Sequence, residues 1–209
     1  MNDEKKKKWE NFWYYYKYHT YIAIFIVIIL VVIIGSFASR KESVLSVDLV
    51  GTSIYDVQRI KLQDQFTSQL VKNKKQTVNI YFLEFDSQNS NNMQRDTAVL
   101  SKIVATASAQ DLDVLVIDKN MFKNYIKNSM FERIDESTGF GDLSSLNLKY
   151  IDGKENGDNV DYHYGIDVSD NAMLKATGYD TQDKVLGIIN SSDKKDYAMK
   201  FVKNLFNLK

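Results

Sequence analysis

Two histidines and no cysteine among 209 residues leave few ways to build a catalytic centre. A serine hydrolase needs an imidazole beside its nucleophile. Beyond the N-terminal segment the one histidine is His163, set between tyrosines in Asp161-Tyr-His-Tyr-Gly165, a setting that reads as structural or surface. Without thiols there is no disulfide framework, thiolate nucleophile or thiolate metal site. A single domain histidine also argues against zinc. No Gly-x-Ser-x-Gly elbow, Walker A loop or Gly-x-Gly-x-x-Gly turn is present. The stretch from Asp152 to Asp161 is acidic and glycine-bearing, but Lys154 takes the third position, where a calcium loop needs Asp or Asn. It reads as a solvated turn. Asp113 and Asp118 bracket an apolar run and read as strand boundaries. No cofactor is expected, and no catalytic constellation assembles.

The remaining candidates depend on the elements that would position them. Apolar runs alternate with helical periodicity after residue 43. Val44–Val50 reads as a first strand, and Ser53 with Asp56 three residues on resembles a capping box opening a helix. Tyr55, Leu62, Phe66 and Leu70 share one stripe of that helix, from which Val57 and Ile60 depart. Val78–Phe85 reads as a second strand and about 94–109 as a second helix, with Leu100, Ile103, Val104 and Ala107 at helical spacing. Asp113–Asp118 is nearly continuous in apolar residues, as expected of a strand buried on both faces in a parallel sheet. A short helix carries Met121, Phe122, Tyr125 and Ile126. The polar stretch 136–165 predicts a loop or hairpin excursion. Lys184–Ile189 returns as a strand, and Tyr197, Phe201, Val202, Leu205 and Leu208 line one face of a closing helix.

Strands separated by helices predict a single α/β domain with a mostly parallel sheet in three layers. Such sheets take ligands outside the carboxyl ends of their strands. The residues at those ends are Thr52 and Ser53, Asp86 and Ser87, and Asp118 and Lys119. Ordinary caps and turns explain all six, and a ligand or partner surface is the alternative.

Ahead of this domain stand 22 residues without a formal charge, Tyr18 to Ser39, between Lys17 and Arg40. As a helix they reach about 33 Å, enough to cross a hydrocarbon core of about 30 Å. Lys5 to Lys8 and Lys17 outweigh Arg40 and Lys41 on the other flank, which predicts a cytoplasmic N-terminus and an extracellular domain. Trp9, Trp13, Tyr14, Tyr15, Tyr16, Tyr18 and Tyr21 form an aromatic belt suited to the headgroup layer, or to docking on a membrane-protein partner. Ser36-Phe-Ala38 has the spacing of a signal cleavage site, but the long aromatic N-terminal region favours an uncleaved anchor. The expected organisation is a cytoplasmic tail over 1–17, a membrane span over 18–39 and an extracytoplasmic domain over 40–209. Setting aside the first 39 residues, with five Lys and three acidic residues, leaves 22 basic and 24 acidic residues. That near-neutral balance argues against nucleic acid as a partner.

Two segments carry a family resemblance. Asp113-Val-Leu-Val-Ile-Asp118-Lys-Asn-Met-Phe122, followed by Met130-Phe131-Glu-Arg-Ile134-Asp135, resembles a strand, helix and segment common in extracellular solute-binding proteins of ABC importers. Leu186-Gly-Ile-Ile-Asn190-Ser-Ser, with Ala198, Phe201 and Leu205, is similar to a later strand and helix of the same lobe. The resemblance covers 44–135 and 160–207 loosely. It implies one lobe of a clamshell whose second lobe is missing, since only about 25 residues separate the two segments. A lone lobe cannot close over a solute, so no binding residue carries across. The function expected is a non-enzymatic interaction or accessory domain beside a membrane complex such as a transporter. Ligand sensing by the strand-end loops and a carboxylate-dependent hydrolase are the alternatives.

Overall fold

A computed structural model describes residues 3–39, 41–86, 93–134 and 148–208. The chain divides into two units, Met1–Lys41 and Glu42–Lys209. The first is one helix, α1, Asp3–Ser39. Its stretch Phe12–Gly35 has a mean hydropathy of 2.5 and no buried residue. At 24 residues it reaches about 36 Å, long and apolar enough to cross a membrane. The aromatic belt and the apolar run are therefore one continuous helix. Along it the rings of Trp9 and Phe12 stack with centroids 6.1 Å apart, and those of Phe12 and Tyr16 with centroids 5.0 Å apart. Such spacing follows from helical neighbours three and four residues apart.

The second unit runs β1 (Glu42–Gly51), α2 (Asp56–Leu70), β2 (Gln76–Glu84), α3 (Met93–Ser108), β3 (Val114–Asp118), α4 (Lys119–Ile126), β4 (Tyr150–Gly153), β5 (Tyr162–Asp167), α5 (Ala172–Lys175), β6 (Lys184–Ile188) and α6 (Lys195–Leu205). The strands make one six-stranded sheet, in the order β2-β1-β3-β6-β5-β4. The sheet is mixed. β1 runs parallel to β2 and β3, whereas β3–β6, β6–β5 and β5–β4 are antiparallel. The expected parallel pairing thus holds for the half built from strand–helix–strand crossovers. The polar excursion predicted over 136–165 contains the β4–β5 hairpin; residues 135–147 lie outside those described. This excursion delivers β6 beside β3 from the opposite direction.

Side chains alternate across each strand and divide the core in two. Leu45, Val47 and Leu49 of β1 with Val114 and Val116 of β3 face Leu62 and Phe66 of α2 and Phe201 and Val202 of α6. The Phe66 and Phe201 rings lie 4.3 Å apart. On the other face Val50, Leu115 and Ile117 meet Ile103 of α3 and Phe122 of α4. Here Gly165 and Gly187, directly opposed on β5 and β6, make a flat floor. A Cβ on Gly187 would come within 2.5 Å of Phe122 and 2.6 Å of Phe131, whose stacked rings rest on it 4.1 Å apart.

The first domain helix starts later than the capping-box pattern predicts. Tyr55, not Ser53, holds the N-cap position in extended conformation and without a side-chain cap bond. Its N–H donates to the Thr177 carbonyl at 2.9 Å. That long-range bond holds the preceding residues outside the helix. Tyr55 is exposed and leaves the buried stripe, which Leu62 and Phe66 fill. The polar residues of α2 have their own task, because β2 is an edge strand with unpaired backbone groups. Arg59 donates to the Ile80 carbonyl at 2.6 Å, Gln63 accepts from the Ile80 N–H at 3.0 Å, and Thr67 accepts from the Val78 N–H at 3.1 Å. These three residues stand four apart and cap the open edge from a single helix face.

Candidate functional site: a buried carboxyl beside α3

Strand β1 carries a charge in its buried middle. Asp48 is 4% exposed, lies next to Tyr81 of β2 and Leu115 of β3, and receives no side-chain hydrogen bond among the described residues. A bulge between Ser43 and Leu45 resets the alternation of β1. It places the hydroxyls of Ser43 and Ser46 3.2 Å apart. Asp48, Ser43 and Ser46 line a cavity of about 430 Å³ completed by Asn79 and Tyr81 from β2, Lys102 and Thr106 from α3, and Asp111 just after it. The floor is sheet and one wall is helix, so rigid elements hold the polar groups.

The electrostatics are those of a charge starved of water. Burial pushes the Asp48 carboxyl up to about 6, against the attraction of Lys102, which lowers it. The neighbouring Asp113 has the opposite provision. Fully buried, it accepts the Ser46 N–H at 2.7 Å and the Ser192 hydroxyl at 2.6 Å, with the Lys194 ammonium at 3.6 Å. Asp113 therefore ties β1, β3 and the start of α6 together. Asp48, two residues beyond Ser46, aims at the cavity.

On the other side of α3 lies a second cavity of about 410 Å³, lined by Val104, Ala107, Tyr125, Met130, Ile189 and Asn190 among others. Two side chains of its polar rim are held internally: Ser191 donates to the Ala107 carbonyl at 2.6 Å, and the Asn190 amide to the Ser129 carbonyl at 3.4 Å.

The residues expected at the carboxyl ends of the strands line neither cavity. Thr52 and Ser53 are exposed in the turn after β1. The Asp86 N–H donates to Asp96 Oδ1 at 3.5 Å, and Ser87 lies outside the described residues. Asp118 precedes α4 and pairs with the nearly buried Lys184 at 2.8 Å. The Lys119 N–H donates to the Asp183 carbonyl at 2.8 Å. Nearby, the buried Tyr179 donates its hydroxyl to the Val50 carbonyl at 2.6 Å. The structure therefore joins Asp118 to the last strand, Lys119 to the turn before that strand, and Asp86 to a side chain of α3.

His163 faces Asp152 across the β4–β5 hairpin, Nδ1 to Oδ1 at 2.5 Å, and stacks on Tyr150 with centroids 4.8 Å apart. Two other acids of that glycine-bearing stretch are also engaged. Asp158 pairs with Arg133 at 2.8 Å, and Glu155 accepts from Tyr164 at 3.0 Å and from the Ser129 hydroxyl. Among the described residues no group of three or more His, Asp or Glu side chains is placed to hold a metal ion.

The reading of Val44–Val50 as a first strand passes over Asp48. The signal was present: Ser46 and Asp48 stand two apart in an apolar run, and a buried polar residue is the informative exception in a core. Comparison of the chain with protein-family models, with curated proteins and with solved structures returns no match.

Proposed function

We propose that this chain is a membrane-anchored, extracytoplasmic binding protein whose α/β domain takes a small polar solute in the Asp48 cleft without turning it over. One observation carries the proposal: Asp48, 4% exposed, receives no side-chain hydrogen bond from the described residues and faces a cavity lined by polar residues. Carboxyl groups of residues this buried ordinarily accept hydrogen bonds from the protein, and Asp48 turns its own toward the cavity instead. Binding is favoured over catalysis because the lining holds no imidazole to activate its hydroxyls. The Thr106 hydroxyl is further engaged with the Lys102 carbonyl at 2.9 Å.

Helix α1 supplies the anchor. Its apolar stretch has no buried residue, and such a surface is stable in lipid, where a helix satisfies its own backbone. The excess of lysine before the stretch favours a cytoplasmic N-terminus and an external domain. The likeness to one lobe of a solute-binding protein gains support from topology. β3 and β6, the two strands that carry it, are neighbours, and Phe131 of the first segment bridges Ile189 of the second.

A second reading makes the domain an accessory subunit of a membrane complex such as a transporter. The aromatic belt favours it, since Trp9, Trp13 and Tyr14 present exposed rings from one helix. The two readings part in one experiment. Thermal unfolding of the full chain in detergent is followed against amino acids, sugars and dicarboxylates, for the wild type and Asp48→Asn. Solute binding requires a Tm rise that depends on Asp48, because a ligand specific for the native state stabilises it by mass action. No shift with any solute, together with a partner retained through purification in mild detergent, would favour the accessory role. Turnover of a solute abolished by Asp48→Asn would instead establish a carboxylate-dependent enzyme.

A further inference from the structure

We infer that the Asp48 cleft is built for a small zwitterion of the kind a free polar amino acid presents, its ammonium group held by Asp48 and Asp111 and its carboxylate by Lys102. The inference rests on the reading of the cleft as a solute site and adds the chemical class of the solute.

The charges lining the cavity set the class. Asp48 and Asp111 supply two carboxyl groups and Lys102 one ammonium. A dianion would meet both carboxylates, and a bare metal ion would meet Lys102. A zwitterion gives each fixed charge an opposite partner. The geometry asks for a donor at Asp48 in particular, since that carboxyl is buried, faces the cavity and has no hydrogen bond from the described residues. A primary ammonium carries three N–H donors on one small atom, and charge-assisted hydrogen bonds are stronger than neutral ones. Lys102 reaches the same space from α3, on the wall facing the sheet. The two opposite charges are presented from two different elements, strand β1 and helix α3, so one ligand must offer both of its charges to the same cavity.

The remaining walls describe the ligand's third group. Ser43, Asn79, Tyr81 and Thr106 offer hydroxyls and an amide. The hydroxyls of Ser43 and Thr106 are bonded within the protein, so the Asn79 amide and the Tyr81 hydroxyl are the groups that suit a side chain able to exchange hydrogen bonds and that an aliphatic one would leave unpaired. The volume, about 430 Å³, lies in the range of small-molecule sites.

Isothermal titration calorimetry of the full chain in detergent tests this with L-serine, L-asparagine and L-glutamine, each beside its decarboxylated and deaminated counterpart. For L-glutamine these are 4-aminobutanamide and glutaramate. The expected result is saturable binding of at least one amino acid, with both counterparts weaker by 10-fold or more. Asp48→Asn and Lys102→Met should each weaken binding by 10-fold or more. Lys102→Met sits on an exposed helix position, so it tests the site even should the core variant unfold. Binding undiminished in both variants, or amines binding as tightly as their parent amino acids, would overturn the inference. A sugar or dicarboxylate that raises Tm through Asp48, while no amino acid binds, would overturn the zwitterion and leave the solute site standing. No response to any solute in either assay would overturn both.

Discussion

Replacing Asp48 by asparagine should stabilise the protein, and the gain should depend on pH. The carboxyl sits near 6 in the folded chain against an ordinary 3.8. At about 1.36 kcal/mol per unit, that difference corresponds to about 3 kcal/mol. The sign follows from proton counting. Well below pH 4 both folded and unfolded chains hold the proton, and the group contributes nothing. Between about 4 and 6 the unfolded chain releases a proton that the native chain keeps, so stability falls as pH rises. Above 6 the native state bears the full cost of a buried carboxylate, already reduced by Lys102 on α3. The other ionisable groups lining the cavity are Asp111, after α3, and Tyr81 on β2. Asparagine has nearly the same shape and no charge. The full chain without added solute is unfolded thermally at pH 4 and pH 8 and followed by circular dichroism. Asp48→Asn should raise Tm at pH 8 by about 6–12 °C, taking 2–4 °C per kcal/mol for a domain of this size. At pH 4 the difference should shrink to about 0.5 kcal/mol, or about 1–2 °C. Equal effects at both pH values, or a loss of Tm at pH 8, would refute the buried-charge account.

Other substitutions test the frame around the cleft. Gly187→Ala drives a methyl into Phe122 and Phe131 and should cost about 1–3 kcal/mol, read as a lower Tm with loss of near-ultraviolet dichroism. Asp113→Ala strips a charged acceptor from the Ser46 N–H and the Ser192 hydroxyl and should cost about 3 kcal/mol or more; full stability in denaturant titration would show that the tie is dispensable. Gln63→Ala removes the acceptor of the Ile80 N–H on the edge strand. It should cost about 1 kcal/mol and quicken hydrogen exchange at Ile80 while leaving the central Val116 protected.

Much of the domain can be read from its residues because its signals are local. The run Val114–Ile117 is apolar at every position and occupies a strand with neighbours on both sides. The stripe Ala198, Phe201, Val202 and Leu205 has helical spacing and is buried as a set. Three features lie beyond such signals. The direction of β6 is set by the excursion that precedes it, which carries a weak pattern, so its antiparallel setting in a sheet expected to be mostly parallel is not legible in its own residues. The start of α2 is fixed by the bond from Tyr55 to Thr177, residues distant in the chain. The cleft arises only when β1, β2 and α3 come together, and no single segment displays it. Asp48 alone was legible, as a charge inside an apolar strand, and the ligand-site rule for parallel sheets drew attention instead to the strand ends.

The most direct test of a membrane anchor holding the domain outside the cell uses the absence of cysteine, which gives a silent background. A single cysteine at the exposed position Lys61 on α2, and in a separate variant at Asn2, is treated on intact cells with a membrane-impermeant maleimide. The account predicts labelling of Lys61→Cys on intact cells and of Asn2→Cys only after lysis, with both proteins in the alkali-resistant membrane fraction. Labelling of Lys61→Cys only after lysis, or recovery of the chain in the soluble fraction, would contradict it.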